Sequence, residues 1–266
     1  MTSPPTGPDV PDAVVAAAAA AIRVTVLTGA GMSAESGVPT FRDAQTGLWA
    51  RFDAEALATP QAWRADPDLV WGWYLWRLSL VRAVNPNDGH RALSAWAALP
   101  GVDLRVVTQN VDDLHERAGS ADVAHVHGSL LHFRCDRCAT PYDDPVVPPD
   151  PPLERVAPPA CSACPGRIRP GVVWFGEQLP AGAFELATRA CVDADLLVVV
   201  GTSGLVHPAA GLPAVAAAHG VPVIEVNPEP TAISHQADHV WRTTAALGLP
   251  ALVDRLAGAA VRQGAQ

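Results

Sequence analysis

Residues 23–37 read RVTVLTGAGMSAESG, an apolar, β-branched run that meets a glycine-rich turn at Gly29. The run predicts a buried strand, and Gly29 and Gly31 permit a tight turn in which backbone amides can closely approach a diphosphate. Similar runs occupy residues 104–108, 196–201 and 221–226, and the segments 182–192 and 209–219 have helical spacing. Buried strands that alternate with helices predict an α/β fold, a Rossmann-like parallel sheet with helices on both faces.

The glycine turn alone is a weak signal for a particular cofactor. The usual dinucleotide fingerprint has its third glycine three residues after the second, but that position is Ala34 here and the next glycine is Gly37. A simple hydride-transfer dehydrogenase is therefore disfavoured. Nucleotide binding at the turn remains the prediction.

Four of the five cysteines form two Cys-x-x-Cys pairs, Cys135 with Cys138 and Cys161 with Cys164. Two such pairs can close around one ion through four thiolates, which is the arrangement of a structural zinc site with no open position for substrate. The spacing therefore predicts one structural Zn²⁺ rather than disulfides or a catalytic metal. Cys191 lies in an apolar segment and is predicted to be an ordinary core residue.

The composition disfavours several classes of partner. The chain of 266 residues has 18 cationic side chains, all of them arginine, against 27 acidic ones, and its formal net charge is −9. An acidic chain has no general attraction to nucleic acid or to anionic membranes, so neither is expected as a partner. The most apolar N-terminal stretch, residues 13–22, is too short to span a membrane and has no basic segment before it. We therefore expect a soluble, cytoplasmic protein.

Two segments interrupt the alternation of strands and helices. Residues 44–100 have mostly helical patterning, whereas residues 128–170 contain both cysteine pairs and a proline-dense stretch that suits neither a helix nor a central strand. The predicted organisation is a flexible tail at 1–11, a discontinuous Rossmann-like nucleotide-binding domain at 12–43, 101–127 and 171–258, a helical insertion at 44–100, and a zinc-binding module at 128–170.

Several motifs occur in the order in which they are found in the sirtuins. They are GAGMSAESGVPTFR at 29–42, TQNVD at 108–112, HVHGS at 125–129, the two cysteine pairs, RPGVVWFGE at 169–177, GTS at 201–203 and NPE at 227–229. The sequence resembles this family over roughly residues 24–250. The resemblance implies an NAD-dependent protein-lysine deacylase, for which NAD is a consumed co-substrate and the products are nicotinamide and O-acyl-ADP-ribose.

The resemblance also implies roles for individual residues. His127 matches the family's catalytic base, and an imidazole that titrates near neutrality can accept a hydroxyl proton. The residues that match NAD-binding positions are Gly29, Ala30, Gly31, Ser33, Ala34, Glu35, Phe41, Arg42, Gln109, Asn110, Asp112, Gly201, Thr202, Ser203, Asn227, Glu229 and Ala245. The residues that match peptide-binding segments are Val172, Trp174, Phe175, Gly176 and Val206. The implied partners are acylated-lysine proteins or peptides; the oligomeric state stays open, with a monomer as one option.

Tyr74 and Arg77 are candidates for recognising the acyl group on the substrate lysine. Residues three apart share a helix face, so a phenol and a guanidinium at this spacing can hold a carboxylate together. The spacing alone favours a core tyrosine and a solvated arginine, but the segment resembles the class III sirtuins, whose Tyr-x-x-Arg pair recognises malonyl, succinyl or glutaryl lysine. In that context Ala58 would provide a small wall beside a longer acyl chain. Activity on acetyl-lysine stays open.

Two alternative functions follow from the same residues. A protein ADP-ribosyltransferase of the same fold would use the same NAD site. A zinc-ribbon binding module would explain the four cysteines, but it leaves the glycine turn, residues 109–112 and His127 without a role. A test of NAD binding and of the reaction product separates the three functions.

Overall fold

The computed structural model describes residues 8–40 and 47–263. Six strands form its main sheet: β1 (Arg23–Thr28), β2 (Asp103–Thr108), β3 (Val123–His125), β7 (Leu196–Val200), β8 (Val223–Val226) and β9 (His239–Trp241). All six are parallel, in the order β3-β2-β1-β7-β8-β9. Thr28 at the end of β1 pairs with Thr108 of β2 and Val200 of β7. The carboxyl ends of the strands therefore share one edge, which is where parallel sheets bind ligands.

Helices cover both faces of this sheet. One layer consists of α1 (Asp12–Ala20), α6 (Asp88–Ala97) and α10 (Ala245–Gln263), and the other of α8 (Ala181–Val192) and α9 (Leu212–Ala218). Along β7, Val198 and Val200 pack into the first layer, whereas Leu197 and Val199 pack into the second. The result confirms the predicted Rossmann-like α/β fold.

Three helices between β1 and α6 form the helical insertion: α3 (Ala54–Leu57), α4 (Pro60–Ala65) and α5 (Pro67–Ala83). Pro60 and Pro67 occupy the first turn of α4 and α5, where the missing N–H of proline costs no helical hydrogen bond. The side chains of Thr59 and Asp66 cap these two helices by accepting from backbone amides, at 3.1 and 3.2 Å respectively. The local sequence therefore specifies where both helices begin.

A small antiparallel sheet carries the cysteine pairs. It consists of β4 (Gly128–Cys135), β5 (Pro141–Tyr142) and β6 (Ile168–Val172) in the order β5-β4-β6. The tryptophans of the insertion and the inner face of this sheet share one core, which includes Trp63, Trp73, Leu130 and Ile168. The proline-dense segment, residues 145–159, contains no helix or strand, as predicted.

The proline-dense segment lies against α5. The amide of Val156 donates to the carbonyl of Asp68 at 3.0 Å, and a Cβ at Gly72 would lie 2.5 Å from the carbonyl oxygen of Glu154. Gly72 thus allows the two backbones to approach. The segment links the zinc-binding module to the insertion.

Some features were not predicted. The edge strands β3 and β9 are three residues long and show no clear pattern in the sequence. Helix α6 lies within the range assigned to the insertion, yet it packs against the main sheet beside α10. The domain boundaries stay predictions. Within the described ranges, the helices are too short or too polar to cross a bilayer.

Candidate active site and zinc site

The glycine turn after β1 packs closely against the turn after β7. The amide of Gly31 donates to the carbonyl of Gly201 at 2.8 Å. A Cβ at Gly29 would lie 2.7 Å from Cβ of Thr202, and one at Gly31 would lie 2.8 Å from Cα of Gly201. Only glycine fits at these two positions, because a Cβ would overlap the turn after β7. Ala30 lies in the same turn, and Ala34 ends the short helix α2 (Gly31–Ala34) that follows it.

Polar side chains gather beside this turn. The Nδ2 atom of Asn110 donates to Oγ of Ser33 at 3.0 Å, and Nε2 of Gln109 donates to Oγ1 of Thr202 at 3.0 Å. Asp112 is buried nearby, and burial raises its pKa even though the amide of Leu114 and the Ser33 hydroxyl donate to it. The structure thus brings together residues from the ends of β1, β2 and β7.

His127 lies between β3 and β4, at the junction of the two sheets. Its Nδ1 is 3.0 Å from the carbonyl oxygen of Gln109, a contact that requires a proton on Nδ1. In the neutral ring Nε2 then carries the lone pair. Burial lowers the pKa of His127, so the neutral form dominates at pH 7. The ring is therefore ready to accept a proton at Nε2.

His125 differs from His127 although only one residue separates them. Its Nδ1 faces the carbonyl of Asn110 at 3.0 Å and its Nε2 faces Oε1 of Glu116 at 2.7 Å. Burial alone would lower the pKa of His125, but the hydrogen bond and charge of Glu116 raise it. Both nitrogens of His125 are engaged, which suits a structural ring and not a base.

The loop after β8 is tied to the loop after β7. Nδ2 of Asn227 donates to the carbonyl of Thr202 at 3.1 Å, and the amide of Ala232 donates to the carbonyl of Ser203 at 3.2 Å. Arg242 donates to the carbonyl of Glu229 at 2.9 Å. These contacts place Asn227 beside the turn that contains Gly201 and tie Glu229 to Arg242.

Glu35 and Ala245 lie on the side of the glycine turn that faces α10. Oε2 of Glu35 accepts from the amide of Ala246 at 3.1 Å. Ala245 is buried, and a Cβ at Gly89 would lie 2.8 Å from its carbonyl oxygen. Phe41 and Arg42, the remaining residues predicted to contact NAD, lie outside the described residues.

Tyr74 and Arg77 are both buried on α5, at 4% and 9% exposure. The reading as a solvated arginine is therefore wrong. The hydroxyl oxygen of Tyr74 accepts from Nε1 of Trp174 at 2.9 Å, and the Arg77 guanidinium carbon lies 5.2 Å from the centre of the Trp73 ring. Burial lowers the pKa of Arg77, whereas Tyr74 and the charge of Asp112 oppose this shift. A guanidinium and a phenol on one helix are both hydrogen-bond donors to an anion.

The segment after β6 runs between His127 and Ala58. The amide of Val173 donates to the carbonyl of His127 at 2.8 Å, and the amide of Phe175 donates to the carbonyl of Ala58 at 2.9 Å. Val172 and Trp174 point into the core, whereas Phe175 and Val206 are exposed at 38% and 37%. Gly176 follows with a positive φ of 86°. The segment therefore has apolar side chains on its exposed side, at Phe175, and in the core, at Val172 and Trp174.

The four paired cysteines form one cluster. Their Sγ atoms all lie within 4.8 Å of one another, with separations of 3.4 Å for Cys135–Cys164 and Cys138–Cys164 and 3.7 Å for Cys138–Cys161. Tetrahedral zinc with Zn–S bonds of about 2.3 Å places its sulfurs roughly 3.8 Å apart. The amides of Arg137 and Ala163 point at the sulfurs of Cys135 and Cys161, at 3.4 and 3.3 Å. The cluster is positioned to bind one zinc ion, whereas Cys191 is buried in α8.

A buried histidine pair lies beneath the site. The His90 and His115 rings are 4.8 Å apart, and Nε2 of each reaches a hydroxyl, Ser33 at 3.5 Å and Thr28 at 3.0 Å respectively. Burial lowers the pKa of His90 to about 4 and that of His115 to about 3. Neither ring could be predicted from the sequence, because the two histidines are far apart along the chain and form no local pattern.

This pair makes stability depend on pH. In the unfolded chain a histidine takes up a proton below about pH 6.5, whereas His90 and His115 in the folded protein stay neutral until a lower pH. The free energy of unfolding therefore decreases as the pH is lowered below about 6.5. Each histidine is expected to lower the free energy of unfolding by about 2 kcal/mol between pH 6.5 and pH 5. Urea unfolding at pH 7 and pH 5 should therefore show a smaller loss in His115→Gln than in the wild type. His219→Gln changes an exposed histidine and is the control, so it should show the wild-type loss. If His115→Gln also showed the full wild-type loss, the prediction would be wrong.

Comparison with known proteins agrees with this geometry. Residues 29–208 match the model of the Sir2 family. The chain belongs to the Sir2 family. It is 56% identical to the "NAD-dependent protein deacylase" of Mycobacterium tuberculosis, with 88% of this chain and 98% of the relative covered. It is 51% identical to the protein of the same name from Corynebacterium glutamicum, with 86% and 90% covered. The resemblance to the sirtuins is confirmed.

Solved structures of Sir2 proteins are similar to this chain over nearly its whole length. A Sir2 homologue in complex with NAD is 41% identical, with 95% of this chain and 96% of that chain covered and a TM-score of 0.85. A Sir2 variant with one histidine replaced by alanine, solved with a deacetylated p53 peptide and 3′-O-acetyl-ADP-ribose, is 27% identical, with 91% and 97% covered and a TM-score of 0.77. The Sir2 fold therefore extends over nearly the whole of this chain.

Proposed function

We propose that this Sir2 protein is an NAD-dependent protein-lysine deacylase that removes succinyl and malonyl groups from lysine side chains. Membership of the family and the shared name of its relatives support NAD-dependent deacylation. The buried Tyr74 and Arg77 pair is the observation that supports an acidic acyl group. The products are nicotinamide, O-acyl-ADP-ribose and the free lysine.

Different residues at the sheet edge would hold different parts of NAD. The glycine turn, with Gly29 and Gly31, would lie beside the diphosphate, since it follows β1 at the carboxyl edge of the parallel sheet. Asn227 and Glu229 lie where the adenosine ribose would be held, and Gln109, Asn110 and Asp112 lie on the side of His127, where the nicotinamide ribose would be held. NAD supplies the ribose carbon that nicotinamide leaves and the hydroxyl that takes over the acyl group.

His127 acts as the base in this scheme. Nε2 accepts the proton of a ribose hydroxyl, and Nδ1 keeps its own proton on the carbonyl of Gln109. The peptide would lie between Phe175 and Val206 and bind through backbone hydrogen bonds, a mode that tolerates many sequences. The acyl-lysine would then extend past His127 toward Ala58 and α5.

The chemistry of the Tyr74 and Arg77 pair supports an acidic acyl group. A terminal carboxylate can accept two parallel hydrogen bonds from a guanidinium and a third from a phenol. An acetyl group has no such carboxylate, so it can accept none of these hydrogen bonds. The pair is therefore expected to distinguish succinyl and malonyl lysine from acetyl-lysine.

Arg77→Met is expected to change this preference. Methionine keeps the apolar stem and removes the cation, so kcat/KM for a succinylated peptide should fall roughly 10- to 100-fold, as expected for a lost hydrogen bond to a charged group. Activity on the matching acetylated peptide should change little. The assay compares acetyl, malonyl and succinyl peptides of one sequence with NAD, and it measures both deacylated peptide and nicotinamide.

Arg64→Met on the exposed side of α4 is the matched control, and its acyl preference should equal that of the wild type. An equal loss on acetylated and succinylated peptides in Arg77→Met would show that Arg77 does not select the acyl group. The mass of the peptide also tests the alternative reaction. Gain of ADP-ribose on the substrate, without loss of the acyl group, would favour a transferase of the same fold.

A further inference from the structure

We infer that Trp174 is a positioning residue for acidic acyl groups, because its indole N–H holds the Tyr74 hydroxyl with its proton directed toward the acyl carboxylate. The inference rests on the proposed function and adds a residue to it. Trp174 is 2% exposed, and its indole N–H donates to the hydroxyl of Tyr74. It would therefore affect acyl preference without contacting the acyl group.

Two neighbouring residues, Arg169 and Glu177, fix the position of the Trp174 indole. The guanidinium carbon of Arg169 lies 3.2 Å from the centre of the Trp174 ring, and Arg169 donates to both carboxylate oxygens of Glu177, at 2.6 and 2.9 Å. Oε2 of Glu177 also accepts from the backbone amide of Trp174 at 2.9 Å. A stacked cation and a bidentate ion pair leave the indole little freedom to rotate.

The direction of the hydrogen bond follows from the groups themselves. An indole N–H can only donate, so in the 2.9 Å contact the Tyr74 oxygen is the acceptor. The Tyr74 proton must then point elsewhere. The neighbouring Arg77 cannot receive it, because a guanidinium has no acceptor. A carboxylate at the end of an acyl chain is the kind of group that would accept from Tyr74 and Arg77 together.

Burial keeps the Tyr74 proton in place. The pKa of Tyr74 is raised well above its usual value by burial, although the Arg77 cation and the Trp174 hydrogen bond favour the phenolate. Tyr74 is therefore a donor at every pH at which the enzyme would be assayed. Without the indole N–H, its hydroxyl could rotate and its proton would no longer be directed.

Trp174→Phe tests the inference, because it keeps an aromatic ring under Arg169 and removes the N–H. The ratio of kcat/KM for succinylated over acetylated peptide is expected to fall roughly three- to tenfold, the range for one lost hydrogen bond. The loss should lie mainly in KM for the succinylated peptide. In the Tyr74→Phe background the same substitution should have no further effect on the ratio, because the hydroxyl that Trp174 orients is already absent.

Trp63→Phe is the matched control. Its ring lies 5.5 Å from that of Trp174, but its Nε1 donates to Oδ2 of Asp136 at 2.9 Å, so its loss should leave the ratio unchanged. Benzothienylalanine at position 174, which has a sulfur in place of the N–H, preserves the ring outline and serves if Trp174→Phe proves unstable.

Failure of the inference can be distinguished from failure of the proposed function. Wild-type protein that leaves a succinylated peptide untouched overturns both. Wild-type desuccinylation with an unchanged ratio in both position-174 variants overturns only the role of Trp174. Additive effects of Trp174→Phe and Tyr74→Phe on the ratio would also overturn it.

Discussion

His127→Ala is expected to abolish deacylation while NAD still binds. The contact of Nδ1 with the carbonyl of Gln109 leaves Nε2 as the proton acceptor, and loss of a positioned general base slows a reaction by roughly 10²- to 10⁴-fold. Binding of NAD depends on the glycine turn and the ends of the strands, so its affinity should change little. Turnover of an acylated peptide and calorimetric titration with NAD measure the two quantities separately.

The control for this prediction is His219→Ala, because His219 is exposed at the end of α9. The role also determines the pH dependence. Since burial lowers the pKa of His127, the acid limb of kcat/KM should be centred below about pH 6.5, the ordinary value for histidine. Substantial turnover in His127→Ala, or an acid limb centred above pH 6.5, would contradict the role of His127 as base.

The sequence predicted the strands that are buried on both faces. Residues 196–200 are five apolar residues in a row, and in the structure alternate side chains of β7 meet the two helical layers. By contrast, β3 is defined by its pairing with β2, where His125 lies opposite Thr108. Such short edge strands depend on backbone pairing rather than on a hydrophobic pattern, so local sequence does not show them.

The candidate site was predictable where its residues follow strands in recognisable motifs. Gly29, Asn110 and Asn227 each follow one of the central strands, and the parallel register brings them to one edge. The sequence could not show from residue chemistry why His127 rather than His125 should be the base. The distinction comes from the partners of each ring, one nitrogen engaged in His127 and both in His125.

Contacts between distant residues were beyond the sequence analysis. Tyr74 and Trp174 are 100 positions apart, and their hydrogen bond depends on how the insertion packs against the small sheet. Each residue alone suggests a different role, acyl binding for Tyr74 and peptide binding for Trp174. Only the shared core brings the two side chains into contact.

Removal of zinc is expected to unfold the small sheet and to stop turnover, although the ion would touch no substrate. Cys135 is fully buried in the core that joins the sheet to the insertion, and β6 runs from Ile168, paired with Cys135, toward Val173, whose amide donates to the carbonyl of His127. Folding and metal binding are coupled in such modules. Cys135→Ser, or chelation, should therefore lower the melting temperature by roughly 10 °C or more.

Cys191→Ala provides the matched control, since Cys191 is buried in α8 and takes no part in the cluster. Metal analysis should find one zinc per chain in the wild type and in Cys191→Ala, and less in Cys135→Ser. Loss of turnover should follow loss of zinc, because the metal fixes β6 and β6 fixes the segment beside His127. If the melting temperature and turnover were unchanged after the zinc had been stripped, the shared aromatic core would suffice to hold β6 in place.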